Sequence, residues 1–520
     1  MKVAKACRQC RESKRKCTRS QDAPRCAPCA LKQLPCSLAS SHIRPRQVLP
    51  QPTSPPAQTQ RLVLPPQAVI EELVEYYLAL IHDKPHSLFH EYSVRKAVRE
   101  ETVSKQVLCG ILAFKRFHYD AAIRAQGTAF SQEAKRLLKE DVETICIENI
   151  QACILVANAC GAVNEGTSEA LFFGIAIRMA QILSFPQSNE NDSPVDQEVK
   201  RRVYWTLYMV DRWSSAGLGL TRQLPDALKY PMPVHELDFH QQFFEYYPNQ
   251  KRGLWAYFID LAYIFGEIQD LHSRHVNGEL EDAHFEEQAQ ALAAMLERFA
   301  ETLPAELHLN VENLQWHAER GIGRTFVALH LGYHHYCSLV HFQYLDIQLP
   351  RTPKQRLFAS RCKHHANTFS DLLKLSTEIP NCDAVYNIVG HMTVVSSSVL
   401  LYTLFFGDED ELPTTRQRLE HNFQVLIKLR GYWPSVSDMM DRLFTFQKVC
   451  MWSADPNTHK IDKWMLKFLL QHALPVEDKT DSRRASLPAH ATSPTVWPAF
   501  AEISSERDQY ATSALSMLRQ

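Results

Sequence analysis

Two observations predict the fold class. Six of the fourteen cysteines crowd into residues 7–36, and from about residue 67 onward apolar positions recur at helical spacing. They predict a small cysteine-held module with two short helices, followed by a large all-α domain. The 520 residues are too many for one ordinary domain and enough for that pair. A composition of 22% charged and 45% apolar residues suits a soluble globular protein. The formal net charge is -1, but it is unevenly placed. Residues 1–46 hold twelve Lys or Arg against two acids, Glu12 and Asp22, a net of +10 that leaves -11 for the rest. A basic binding head on an acidic body follows.

The head carries the chemistry. Its cysteines run Cys7-x2-Cys10-x6-Cys17-x8-Cys26-x2-Cys29-x6-Cys36, nearly a two-fold repeat. A Cys-x2-Cys pair can bring two thiolates to one tetrahedral metal, and a third arrives at the end of a short helix. Six thiolates cannot give two zinc ions four private ligands each, so two sulfurs must bridge. The repeat points to the first cysteine of each half, Cys7 and Cys26. So short a segment has little apolar core, and metal must supply much of its folding energy. Two zinc ions and six thiolates leave the head at about +8 by this counting, the electrostatic footprint of a nucleic-acid binder.

Three disulfides or a protein-binding zinc module are the competing readings. No apolar leader follows Met1-Lys2-Val3-Ala4-Lys5, so the disulfide framework of a secreted protein is not expected. Arg8, Arg11, Lys14, Arg15 and Lys16 lie between Cys7 and Cys17 with a single acid, Glu12, which favours DNA over protein.

These residues, with Pro24-Arg25 before Cys26, resemble the fungal binuclear zinc-cluster (Zn2Cys6) transcription factors. The resemblance implies two Zn2+ ions. One would take Cys7, Cys10, Cys17 and Cys26, and the other Cys26, Cys29, Cys36 and Cys7. It further implies a first helix in the major groove that reads a CGG triplet. Lys14 would make base contacts, while Arg8, Arg11, Arg15 and Lys16 would contact phosphates or flank the bases. Ser13 and Thr18 depart from the family's usual residues and bear on base preference.

Boundaries follow from composition: a DNA-binding module over 1–42, a Pro-rich linker over 43–66, a helical domain over 67–475 and a disordered tail over 476–520. A dimerising coiled coil is not expected after the linker. The stripe Ile70, Leu73, Tyr77, Ile81 lasts under two heptads before Pro85. Inside the domain, Phe172, Ile175, Met179 and Ile182 mark a helix over 171–183, and Val203, Leu207 and Val210 another over 201–212. Residues 384–407 are 24 in a row without formal charge and are read as a buried core helix, not a membrane span. In the tail, Trp497 and Phe500 interspersed with acids fit either an activation segment or an inert tail, and Arg483-Arg484-Ala485-Ser486 has the form of a basophilic kinase site.

The run Gly174–Ala180 followed by Arg201-Arg202-Val203-Tyr204-Trp205 and on to Asp211-Arg212 is similar to the fungal-specific transcription factor domain, or middle homology region. Gly217–Thr221 departs from that family's usual turn.

Other chemistry-bearing residues receive structural readings. His330, His334, His335, Cys337 and His341 have ligand-like spacing but no acid in register, and are read as core or surface residues. Cys146, Cys153 and Cys160, seven apart, are read as a core stripe. Gly217 and Gly219 lack the third glycine of a phosphate loop, and Asp211-Arg212 is read as a structural pair or helix-end feature. No catalytic constellation stands out, so an enzyme is not expected.

The sequence therefore predicts a nuclear, zinc-dependent DNA-binding regulator of RNA polymerase II genes in a fungus, an activator of a metabolic or secondary-metabolite gene set. Its expected partners are double-stranded DNA with CGG-like motifs and the transcription machinery or coactivators. A small-molecule effector and a homodimer stay open, and no membrane is expected. The alternatives are an interaction protein whose zinc head binds protein, and an enzyme with an appended zinc module.

Overall fold

In the computed structural model, the described residues of the N-terminal unit are 10, 16–17, 26–32 and 62–63. In the second unit they are 64–471, apart from 85, 119, 227–228, 248–249, 347, 350–351, 453–460 and 462. The chain divides into units 1–63 and 64–520. Most of the expected linker, and all of the expected tail with Ser486, lie outside the described residues.

The first unit contributes a short helix, α1 (Ala27–Leu31). The second opens with α2 (Gln67–Leu80), α3 (Glu91–Arg99), α4 (Lys105–Leu112), α5 (Ala121–Ala125) and α6 (Gly127–Glu140). Then come α7 (Ile147–Gly161), α8 (Gly166–Ile182), α9 (Pro194–Leu218) and the single turn α10 (Glu236–Phe239). The remainder runs α11 (Leu254–Val276), α12 (Asp282–Glu301), α13 (Val311–Glu319), α14 (Gly323–His341), α15 (Pro353–Glu378), α16 (Ile388–Phe406), α17 (Leu412–Tyr432), α18 (Ser435–Trp452) and α19 (Lys463–Leu470). Among the described residues, extended pairing is confined to two isolated bridges, His82 with His86 and Val234 with Arg252.

Local chemistry sets the helix ends. α9 starts on a reciprocal capping box: the Ser193 hydroxyl accepts from the Asp196 amide, the Asp196 carboxylate accepts from the Ser193 amide, and Pro194 fills the first turn. It stops at Gly219, whose φ of +64° is the left-handed cap that glycine reaches without a Cβ penalty. On α15 the Thr352 hydroxyl likewise accepts from the Gln355 amide and Pro353 fills the first turn, while the Gln355 side chain goes to Tyr344 O.

The expected helices over 171–183 and 201–212 are the cores of α8 and α9. Ile70, Leu73, Tyr77 and Ile81 are all buried, with α2 packed on α3 and α4. That packing explains a stripe too short for a zipper: it faces its own domain.

The uncharged run is α16, threaded between α14, α15, α17 and α18, with 89% of its most apolar window inside the protein. Apolar residues surround its whole circumference, as expected of a helix buried on all sides. Its serine and threonine hydroxyls find partners inside the protein. Thr393, Ser398 and Thr403 donate to carbonyls four residues back, and Ser396 donates to Ala366 O on α15.

The start of α14 shows how tight this half is. A Cβ on Gly323 would lie 2.8 Å from Ala318 Cα and 2.9 Å from Asn381 O, both backbone. Gly323→Ala is therefore expected to destabilise the body by about 1–3 kcal/mol through overpacking, read as a lower urea midpoint at unchanged m-value.

Candidate metal centre

In the head, Cys26 sits immediately before α1, and the Cys29 amide donates to Cys26 O at 3.0 Å. That turn carries both ends of a Cys-x2-Cys pair inward: Cys26 and Cys29 are buried, as is Cys10, while Leu31 is 86% exposed. The interior of the module, among its described residues, is a cluster of cysteines with Cys17 packed against it.

The sulfurs of Cys10, Cys17 and Cys26 all lie within 4.8 Å of one another, and Cys10 Sγ stands 3.7 Å from Cys26 Sγ. A disulfide needs about 2.05 Å. Thiolates at about 2.3 Å around one zinc stand about 3.8 Å apart along a tetrahedral edge. The trio fits the metal, and Cys26, from the second half of the repeat, joins two cysteines of the first. Cys29 packs beside the trio. Lys16 is exposed, just before Cys17. Cys7, Cys36, Arg8, Arg11, Lys14 and Arg15 lie outside the described residues.

In the body, the signature residues of α9 fold a long loop onto the helix. Arg202 is fully buried. Its guanidinium donates to Glu198 Oε1 at 3.0 Å, Ser87 Oγ at 3.1 Å and Val234 O at 2.7 Å, and it lies over the Phe239 ring. Glu198 also accepts from the Val234 amide and from Tyr246 Oη. Trp205 Nε1 donates to Pro231 O. Asp211 accepts from the amides of Gln223 and Leu224, while Arg212 donates to Asp226 and Tyr208 O. Asp211 and Arg212 thus act in parallel on the segment after Gly219, the structural role expected of them.

A second cluster has metal-like composition: His82, Asp83, Glu91 and His240 place one ligand atom each within 4.8 Å of the others. Its hydrogen bonds already use it. His82 Nε2 accepts from the Leu88 and Phe89 amides at 3.0 Å, so Nδ1 carries the proton and faces Asp83. His240 Nδ1 accepts from the Glu91 amide, and its Nε2–H donates to Asp83 Oδ2 at 2.6 Å. Neither imidazole keeps a lone pair for a cation. Burial alone would raise the Asp83 pKa, but His82, His240 and Arg202 hold it well below the usual carboxylate range. This network joins the end of α2 to α9, and sequence reading missed it because its members are scattered between residues 82 and 240.

The discounted histidines, Cys337, Cys153 and Cys160 lie in the core, whereas Cys146 of the expected stripe is half-buried in extended backbone just before α7. His330 donates to Leu307 O, and His334 is bonded to His365. Cys153 and Cys160 are buried, and burial pushes their thiols up to about 12 and 11.

Burial also lowers His82, His272, His330 and His341 to about 4, and His86 and His365 to about 3. These groups stay neutral in the folded body, while the unfolded chain takes up their protons below about 6.5. Stability therefore falls as pH drops from 6.5 toward 4. Glu169, pushed up to about 7 by burial, works in the opposite direction as a single group. The measurement is the urea midpoint of the body between pH 5 and 7, and the expected slope is positive.

Residues 104–288 match the family described as the fungal specific transcription factor domain, from the start of α4 into α12. The chain is similar to a protein of Fusarium oxysporum f. sp. lycopersici named Zn(2)-C6 fungal-type transcription factor FTF2. The two are 23% identical over 427 residues, which cover 74% of this chain and 40% of the relative. It is 22% identical, over 55% of its own length and 33% of the relative's, to an uncharacterized transcriptional regulatory protein of Schizosaccharomyces pombe. The chain spans well under half the length of these relatives. No solved structure matches.

Proposed function

We propose that this chain, a member of the fungal Zn2Cys6 transcription factors with a fungal-specific transcription factor domain, is a zinc-dependent, sequence-specific DNA-binding regulator of RNA polymerase II genes. The observation that carries the reading is the sulfur-lined interior of a head whose residues 1–46 have a net charge of +10. A cluster of cysteines is no hydrophobic core, so metal binding and folding of the head are one event. The basic residues between Cys7 and Cys17 then supply phosphate contacts and, through Lys14, base contacts to a CGG-type site.

In this reading two zinc ions are bound. Cys7, Cys10, Cys17 and Cys26 hold the first, and Cys26, Cys29, Cys36 and Cys7 the second. The regulator works in the nucleus as an activator of a metabolic or secondary-metabolite gene set. Its body answers to an effector or a coactivator, a role supported by a helical unit far larger than DNA binding needs. No catalytic role is assigned.

Lys14→Ala separates DNA reading from protein binding by the head. In the zinc-loaded full chain, affinity for a CGG-bearing duplex is expected to fall by about tenfold to a hundredfold, with a smaller change on a scrambled duplex. Equal loss on both duplexes would assign Lys14 to the backbone. No loss on either would favour a head that binds protein.

A further inference from the structure

Near the junction of α7, α8, α9 and the start of α16 lies a cavity of about 110 Å³. Its walls include Phe114, Phe173, Trp213, Tyr386 and Trp433, and none of its lining residues is Lys, Arg or His. One lining residue carries a formal charge, Glu169 of α8. The groups that act on its carboxyl are burial, which raises its pKa, and the Ser214 hydroxyl, which lowers it. Gly161, the last residue of α7, leaves that carboxyl its room: a Cβ there would sit 2.8 Å from Glu169 Oε2.

Several other polar groups of the wall are committed to partners outside it. Trp213 Nε1 donates to Tyr336 Oη at 2.8 Å, Trp433 Nε1 to Val385 O at 2.6 Å, Asn158 Nδ2 to Ile154 O at 2.9 Å, and Ser435 Oγ to Asn387 Oδ1 at 2.7 Å. At the rim, Asn164 holds a second carboxylate, Asp438, at 2.7 Å. An aromatic box with one uncompensated carboxylate disfavours an anion and gives a neutral guest no ion pair. It suits a cation twice over, through the counter-ion and through the negative faces of the rings.

We propose that this cavity binds a small organic ammonium ion, with Glu169 as its counter-ion and Phe173, Trp213 and Trp433 as its aromatic walls. A dry engineered cavity of about 150 Å³ takes a benzene ring. This one adjoins a smaller space of about 30 Å³, with Trp213, Tyr386 and Ile388 lining both. The two spaces together do not exceed that one-ring cavity, so the guest is about the size of a single six-membered ring with its ammonium group at Glu169. Lys84, which lines the smaller space, does not compete for Glu169: its ammonium donates to the carbonyls of Leu78, Ala79 and His82 at the end of α2. The cavity is built from both sequence halves of the body, so a guest there can couple them. The proposal rests on the effector clause of the function above and gives that effector a site and a chemical class.

The test uses the full chain, free of DNA, at about pH 8, above the value of about 7 to which burial pushes Glu169, with three probes of one shape: benzylamine, benzyl alcohol and benzoate. Binding is read by isothermal titration and by fluorescence of the wall tryptophans. Benzylamine is expected to bind at least about tenfold more tightly than the alcohol, and benzoate more weakly still. E169Q keeps the side chain's shape and should erase the preference for the amine while melting at or above the wild-type temperature. E169D keeps the charge and should preserve the preference at lower affinity. Equal binding of all three probes, binding of none at millimolar concentration, or an amine preference that survives E169Q would each overturn the proposal. Because no DNA is present, these outcomes stand apart from those of the Lys14→Ala test.

Discussion

Cys26→Ala is expected to abolish zinc-dependent DNA binding, with a loss of at least about a hundredfold on a CGG-bearing duplex. Cys26 is fully buried, its sulfur stands with those of Cys10 and Cys17, and Cys29 packs beside it. Among the described residues the cluster around it consists of cysteines, so no apolar core would hold the head once a ligand is lost. A structural zinc supplies roughly 10–16 kcal/mol in small metal-folded modules, so an impaired site leaves the head unfolded, not merely weakened. If Cys26 bridges two ions, its removal should lower bound zinc by more than one ion per chain, read by elemental analysis. The body should keep its melting profile. A variant that still held two zinc ions and bound DNA would contradict the proposed ligand set.

The second large effect lies in the body. Arg202→Ala should destabilise it by about 3–5 kcal/mol, because it leaves Glu198 buried with part of its charge uncompensated and removes donors to Ser87 and Val234. The loop that carries Val234, Phe239 and His240 would lose one of its attachments to α9, keeping those to Glu198 and Trp205. Urea unfolding of the body should show the loss, while zinc content and the head's affinity for DNA stay close to wild type. Arg202→Lys should recover little, since one ammonium cannot reach three acceptors in the plane of a guanidinium.

How much of this was legible in the sequence differs by element. Helices with a strong period were readable: Phe172 through Ile182 mark α8, and Val203 through Val210 mark the middle of α9, although its start at the Ser193 cap lay ahead of the expected 201. The burial of α16 could be anticipated because Asn387, His391 and three serines are poor lipid-facing residues and the run stands alone. The turn that joins Cys26 to Cys29 followed from spacing, since two residues between cysteines form a turn that local backbone geometry can close. The links between distant segments were not readable. Asp83 meets His240, and Arg202 meets Val234 O, across separations that no local pattern encodes. The Glu169 cavity was hidden for the same reason. It needs α2, α7, α8, α9, α16 and α18 to converge, and a lone glutamate on a helix resembles any surface acid until its surroundings are known.

The most direct test of the central claim is selection of DNA from a random library by the zinc-loaded full chain, with a chelated sample beside it and zinc counted in both. The account predicts two zinc ions per chain, enrichment of CGG triplets, and loss of both with chelator. Binding that survives removal of the metal, or a zinc-loaded chain that enriches no sequence at moderate salt, would contradict it.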